Sequence, residues 1–326
     1  MSTRYATANR GIFQSGVLGR LARWVDATPH PQLAIEIAPD KIAGARWSRT
    51  GALDEFAVEA LAPGAVTPSA VETNIQNAAA VKTAVANICA RLRAKDEDVA
   101  LLLPDTVIRV FVQHFDDFPR AQSEAIPMLR WKLKKSVPFE VDETLISYMR
   151  QPPRQAGVDI VTSLARLRII REYEALFEAA NLRPGVVLSS SLAATALLDD
   201  GKAALMARIS GTSLTTVIVR EGILGGFRCT ELPVDAGNLT PQMLLEEIFP
   251  VAAYYQDTWH EGIQSVRVAG LGQRLADFIR PMEEEFHCDV SSLLHTAVSE
   301  GRVQTDAKPL ADRELEGLVG WMLHRG

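Results

Sequence analysis

The strongest constraint on how this chain can fold is a pattern that occurs twice. From Leu33, LAIEIAPDKIAGARWSRTG reads as an apolar strand, a short polar turn, a second strand and a Gly-containing turn. From Leu205, 172 residues on, LMARISGTSLTTVIVREG reads the same way. In both places apolar residues alternate with a period of two and the gaps carry turn residues, as in antiparallel strands joined tightly. The agreement lies in pattern and hardly in letters. A third strand completes each run, so strands are expected at 33–38, 41–48 and 53–61, and again at 204–209, 213–220 and 223–231. A three-strand meander opening each of two similar halves points to a two-lobed α/β fold.

The rest of the chain alternates between helical and strand periodicity. Helices are expected at 71–95, 121–136, 171–181, 192–198, 241–259, 274–286 and 312–323, with further strands at 98–103, 107–115, 145–151, 158–164, 184–190 and 266–269. This gives an N-terminal extension over 1–30, a first lobe over 31–200 and a second over 201–326, whose last helix returns toward the first lobe. A subdomain inserted at about 104–165 belongs to the first lobe. Within the extension, apolar residues recur at helical spacing over 11–26, with Arg20 and Arg23 on the other side. Such a helix either packs on its own domain or leans on an anionic membrane or a partner.

Charge and motifs exclude several functions. Lys plus Arg number 34 against 40 Asp plus Glu, a net charge of −6, so no nucleic-acid partner is expected. Cys89, Cys229 and Cys288 are scattered, which fits a reducing compartment. No run of about 18 apolar residues occurs, and a cytoplasmic location is expected. There is no G-x-x-x-x-G-K-[ST] loop and no G-x-S-x-G elbow. His287, Cys288 and His295 lack a fourth ligand, so no metal is expected there. Ser190 or Ser191 is expected to cap the helix that follows.

Two lobes that each open on such a meander resemble the actin/hexokinase-like nucleotide-binding fold. The order of pieces resembles the PilM family of type IV pilus assembly. LAIEIAPDKIAGARW matches that family's first phosphate hairpin and SGTSLTTVIVREGILGGFR its second. VRVAGLGQRLADF matches the adenosine-side glycine turn. LLLPDTVIRVFVQHFDDFP leads into the inserted subdomain, and LRWKLKKSVPFEVDETLISY is similar to its Lys-rich helix end followed by Pro-Phe. The resemblance implies a non-catalytic cytoplasmic scaffold, peripheral to the inner membrane through its partners. Those would be the cytoplasmic tail of a PilN-like inner-membrane protein and other pilus platform proteins; a homo-oligomer is compatible with it. The cytoplasmic domain of GspL, from type II secretion, shares the architecture. Val110, Phe111, Lys134, Lys135 and Phe139 are the candidate partner-binding residues.

In this fold each lobe offers a hairpin whose N–H groups wrap phosphates beside an acid that holds hydrated Mg²⁺. The matching positions here are Glu36 and Lys41 in the first hairpin, Ser210, Gly211 and Thr212 in the second, and Gly270 and Gly272 in the adenosine turn. Each motif departs from the pattern. Glu36 replaces Asp, Pro39 removes an N–H donor, and Leu271 stands where a base would stack. Above all, Arg208 occupies the second acid's position, a permanent cation in place of a metal ligand. The site is therefore expected to be eroded: ATP is possible by family resemblance, no cofactor is expected, and Mg²⁺-dependent hydrolysis is disfavoured. The competing readings are an active ATPase or sugar kinase of the same fold, and a filament-forming actin-like protein.

Overall fold

The computed structural model describes residues 30–48, 51–152, 157–198 and 201–324. The amphipathic segment expected over 11–26 lies outside the described residues. Strands β1 (Leu33–Ile37), β2 (Lys41–Trp47) and β3 (Leu53–Ala60) lead to helix α1 (Ala78–Arg91) and β4 (Asp98–Leu103). Then come β5 (Arg109–Phe115), α2 (Gln122–Leu133), β6 (Thr144–Arg150) and β7 (Val158–Arg166). The first half closes with α3 (Leu167–Glu174), β8 (Arg183–Ser189) and the short α4 (Ser190–Ala194). The second half runs β9 (Ala204–Ser210), β10 (Ser213–Arg220), β11 (Ile223–Glu231), α5 (Pro241–Trp259) and β12 (Ser265–Ala269). It ends with α6 (Leu275–Phe286), β13 (Asp289–Ser292), α7 (Leu293–Ser299), α8 (Lys308–Ala311) and α9 (Glu316–Leu323).

Two five-stranded sheets share one topology, β3-β2-β1-β4-β8 and β11-β10-β9-β12-β13. In each, an antiparallel meander continues into parallel strands. The duplication reaches single residues. Glu36 is register partner to Ala43 across β1 and β2, and Arg208 to Thr215 at the matching place across β9 and β10. β1 is buried throughout and β9 nearly so, as befits strands covered on both faces. A charge in either strand must therefore find a partner.

Side-chain alternation sets which way each charge points. Leu205, Ala207 and Ile209 of β9 join a core made with Leu244 and Ile248 of α5 and Phe278 and Met282 of α6. Ala204 and Met206 face the other way, into the main core shared with the first sheet. Arg208 follows them, toward the first half. The three-stranded sheet, in the order β5-β7-β6, stands apart. One face forms a small core in which Phe115, Phe118 and Ile160 meet Ala125 and Leu129 of α2. The other gives Val110, Val161 and Ala165 to the main core.

The last helix packs on the first half. Gly317 and Gly320 let α9 approach α4 closely: a Cβ on Gly320 would run into the Ala193 carbonyl, and one on Gly317 would lie 2.5 Å from Ser190 Oγ. The buried Trp321 indole donates to Pro31 O at 3.2 Å, and its ring stacks on His30 with centroids 4.2 Å apart. His324 is buried beside it. Burial, only partly offset by the Ala193 backbone, holds its imidazole pKa down at about 4.

Some boundaries differ from the sequence expectation. α1 starts at Ala78 because residues 69–74 form a loop in which the Asn74 amide donates to Ser69 O and Glu72 O. The Asn77 side chain then caps the helix by accepting from Ala80 N. α3 begins and ends earlier than expected, and β13 and α7 had no expected counterpart. Among the described residues no helix is long and apolar enough to cross a membrane.

Candidate functional site

Glu36 and Arg208 meet across the boundary between the halves. Arg208 Nη2 donates to Glu36 Oε1 at 2.7 Å. Two further acids close around the guanidinium, Asp105 Oδ2 at 3.9 Å from Nη1 and Glu316 Oε2 at 3.8 Å from Nε. All four side chains are buried, with no residue more than 7% exposed. Asp105 follows Pro104 just past the apolar β4, and Glu316 opens α9. The Asp105 carboxylate accepts from Ser191 N at 2.9 Å, from the Thr215 hydroxyl at 2.7 Å, and from the Ser189 and Ser191 hydroxyls. Ser190 donates its hydroxyl to Glu36. Thr215 is the register partner of Arg208, so both halves supply the cluster.

Burying such charges costs several kcal/mol per ion, so the cluster persists only through mutual attraction and hydrogen bonds. Burial by itself would lower the Arg208 pKa. The fields of Glu36, Asp105 and Glu316 outweigh it and hold the guanidinium above its ordinary value, hence charged. Glu316 shows the opposite balance: burial pushes its carboxyl up, and Arg208 reverses only part of the shift. One guanidinium faces three acids, and Glu36 Oε2 is buried with no hydrogen-bond partner among the described residues. α9 crowds that oxygen, since a Cβ on Gly317 would lie only 2.8 Å from it.

The expected nucleotide-site residues are brought together, and protein groups already engage them. Gly211 meets Pro39 at the two hairpin tips, where a Cβ on the glycine would lie 3.5 Å from the proline ring. Lys41 Nζ donates to Arg313 O at 3.2 Å, a tie to the chain just before α9. Around Ser210 and Thr212 the turn is closed internally: Ser213 donates to Ser210 O at 2.8 Å and Leu232 N to Thr212 O at 2.6 Å. Gly270, at φ +84°, is pressed on the Ile209 carbonyl, where only glycine fits. Gly272 N donates to Glu314 Oε1 at 2.6 Å. Among the described residues no group of three or more His, Cys, Asp or Glu side chains could hold a metal ion.

Three expectations need correcting. Ser189, rather than Ser190 or Ser191, caps α4 by accepting from Leu192 N; its neighbours' hydroxyls are committed to Glu36 and Asp105. Leu271, expected where a base would stack, is buried in the core of the second half. Val110 turns into the main core, so it is withdrawn from the exposed partner-binding set, while Phe111 and Phe139 stay half-buried and Lys134 and Lys135 exposed. Asp105, Glu316 and Glu314 were missed. The one trace of Asp105 in the sequence is an acid directly after LLLP, and of Glu316 an acid opening the apolar EGLVGWML.

The three-stranded sheet is fastened to the second half as well as the first. β5 lies beside β11. The Gln151 amide, just past β6, pairs with the Leu224 backbone of β11, Nε2 donating to O at 2.9 Å and Oε1 accepting from N at 2.7 Å.

No family model and no curated protein matches the chain. Among solved structures, a PilM-PilN type IV pilus biogenesis complex is similar with a TM-score of 0.68 at 15% identity, over 91% of this chain and 98% of that one. The cytoplasmic domain of EpsL, an inner membrane component of the Vibrio cholerae type II secretion system, gives 0.45 at 13% identity, over 73% and 81%. An inorganic polyphosphate/ATP-glucomannokinase from Arthrobacter sp. strain KM gives 0.42 at 14% identity, over 90% and 97%. The chain therefore shares the fold seen in the PilM-PilN complex, with two five-stranded sheets of one topology.

Proposed function

We propose that this chain is a non-catalytic scaffold of type IV pilus machinery, or of a related secretion machine, and that it holds the cytoplasmic tail of an inner-membrane partner. Arg208 carries the non-catalytic part of the reading. A phosphate chain in such a cleft needs a hydrated metal and free N–H donors. Here a buried guanidinium lies among the acids, Glu314 uses the Gly272 N–H, and the hairpin tips lie close together. The same features weigh against an active ATPase or sugar kinase.

Likeness to the chain in the PilM-PilN complex supports the partner half. The tail would add as a strand to the three-stranded sheet. Its outer strand β6 pairs on one side only among the described strands, Phe111 stands half-buried on β5, and Phe139 stands half-buried in the connection that leads into β6.

Calorimetry with ATP, with and without Mg²⁺, tests the first part; the expected outcome is no Mg²⁺-dependent binding in the micromolar range. Anisotropy of a labelled tail peptide from a PilN-like protein tests the second. Phe111→Ala and Phe139→Ala should each weaken binding about tenfold, roughly 1.4 kcal/mol. Tight, Mg²⁺-dependent ATP binding with no tail binding would replace the scaffold with an enzyme.

A further inference from the structure

We infer that the outer face of α2 is a docking surface for an anionic lipid bilayer. The inner face of this helix is committed to the core of the three-stranded sheet through Ala125 and Leu129. On the outer face Trp131 is 80% exposed, against 66% for Tyr254 and 51% for Phe249, the other large apolar side chains exposed among the described residues. Lys134 and Lys135 follow three and four residues on. Lys134 keeps helical backbone angles (φ −53°, ψ −33°), which places both lysines on the Trp131 side of the helix end.

Both lysines are exposed, and neither makes an ion pair among the described residues. Their basic neighbours are already engaged. Arg130 donates to Val141 O and Thr144 O, and Lys132 donates to His114 O while standing 3.8 Å over the Phe115 ring. In a chain of net charge −6, two uncommitted cations flank the most exposed indole among the described residues.

The combination selects the ligand chemistry. An indole has a broad apolar face and one N–H donor, which suits the boundary between headgroups and acyl chains. Lysines beside it meet lipid phosphates while their stems lie along the apolar layer. An acidic peptide would satisfy the lysines yet leave the indole in water, unless the peptide brought a pocket for it. A bilayer takes a protruding ring without one. This surface stands whether or not the scaffold reading holds, because it uses neither the interlobe cleft nor Phe111 and Phe139, and it assigns Lys134 and Lys135 to lipid rather than to the tail.

The test is co-sedimentation of the full chain with phosphatidylcholine vesicles, with and without phosphatidylglycerol. The wild type should partition onto the anionic vesicles alone and be released by salt. K134Q/K135Q should lower the partition coefficient about 25-fold, about fivefold per lysine. Vesicles with brominated acyl chains should quench wild-type fluorescence, and W131F should lose that quenching. These side chains are exposed, so the variants should melt at the wild-type temperature. Three results would overturn the proposal: no binding to anionic vesicles, binding unchanged in K134Q/K135Q and W131A, or variants that lose only capture of an acidic tail peptide while vesicle partition is unaltered.

Discussion

β1 and β9 hold the same place in sheets of the same order, yet one carries Glu36 where the other carries Arg208. Had both positions kept an acid, the two halves would repel across their boundary unless a cation came between them. With a guanidinium on one side, the halves complete each other. The comparison teaches that two halves of one topology can differ at a single matched position so that they attract, rather than repel, across their boundary. Asp105 and Glu316 stand around the same guanidinium, and α9 packs over Glu36.

Arg208→Ala tests the asymmetry hardest. It strands three buried carboxylates and should cost about 3–5 kcal/mol in urea unfolding at neutral pH. Acid loosens the same seam from another side. The folded-state pKa of His324 lies near 4, below the ordinary 6.5, so the unfolded chain takes up the proton first. Its contribution is full above pH 6.5 and is lost as pH falls toward 4, by about 3 kcal/mol; His324→Leu should flatten that part of the stability profile. Gly320→Ala wedges α9 off α4 and should cost about 1–3 kcal/mol in thermal or urea unfolding. Smallest is Glu36→Gln at about 1 kcal/mol, because the amide oxygen still accepts from Arg208 and two acids still neutralise it. If Glu36→Gln proved as damaging as Arg208→Ala, the three acids would not share one cation, and the seam would reduce to a single ion pair.

Much of this arrangement was legible in the sequence because it rests on period-two patterns and turns. Both meanders appear there, and the 172-residue offset that aligns them also sets Glu36 against Arg208. Other members of the cluster could not be read. Asp105 sits in a connection and Glu316 at a helix start, where acids are ordinarily solvated, and nothing local says that either is buried. The role of Ser189 as cap depended on where its neighbours' hydroxyls went. α1 reads long because residues 71–77 suit a helix until the Asn74 amide closes a loop instead. Val110 looked available because alternation reveals two faces of a strand and not which one a second layer covers.

Gln151 has a mechanical consequence. A glutamine amide presents the same donor and acceptor as a peptide unit, so β11 gains one extra rung of ladder from a distant part of the chain. The small sheet is thereby tied to the far half by a side chain that acts as backbone, at a point 73 residues away along the chain.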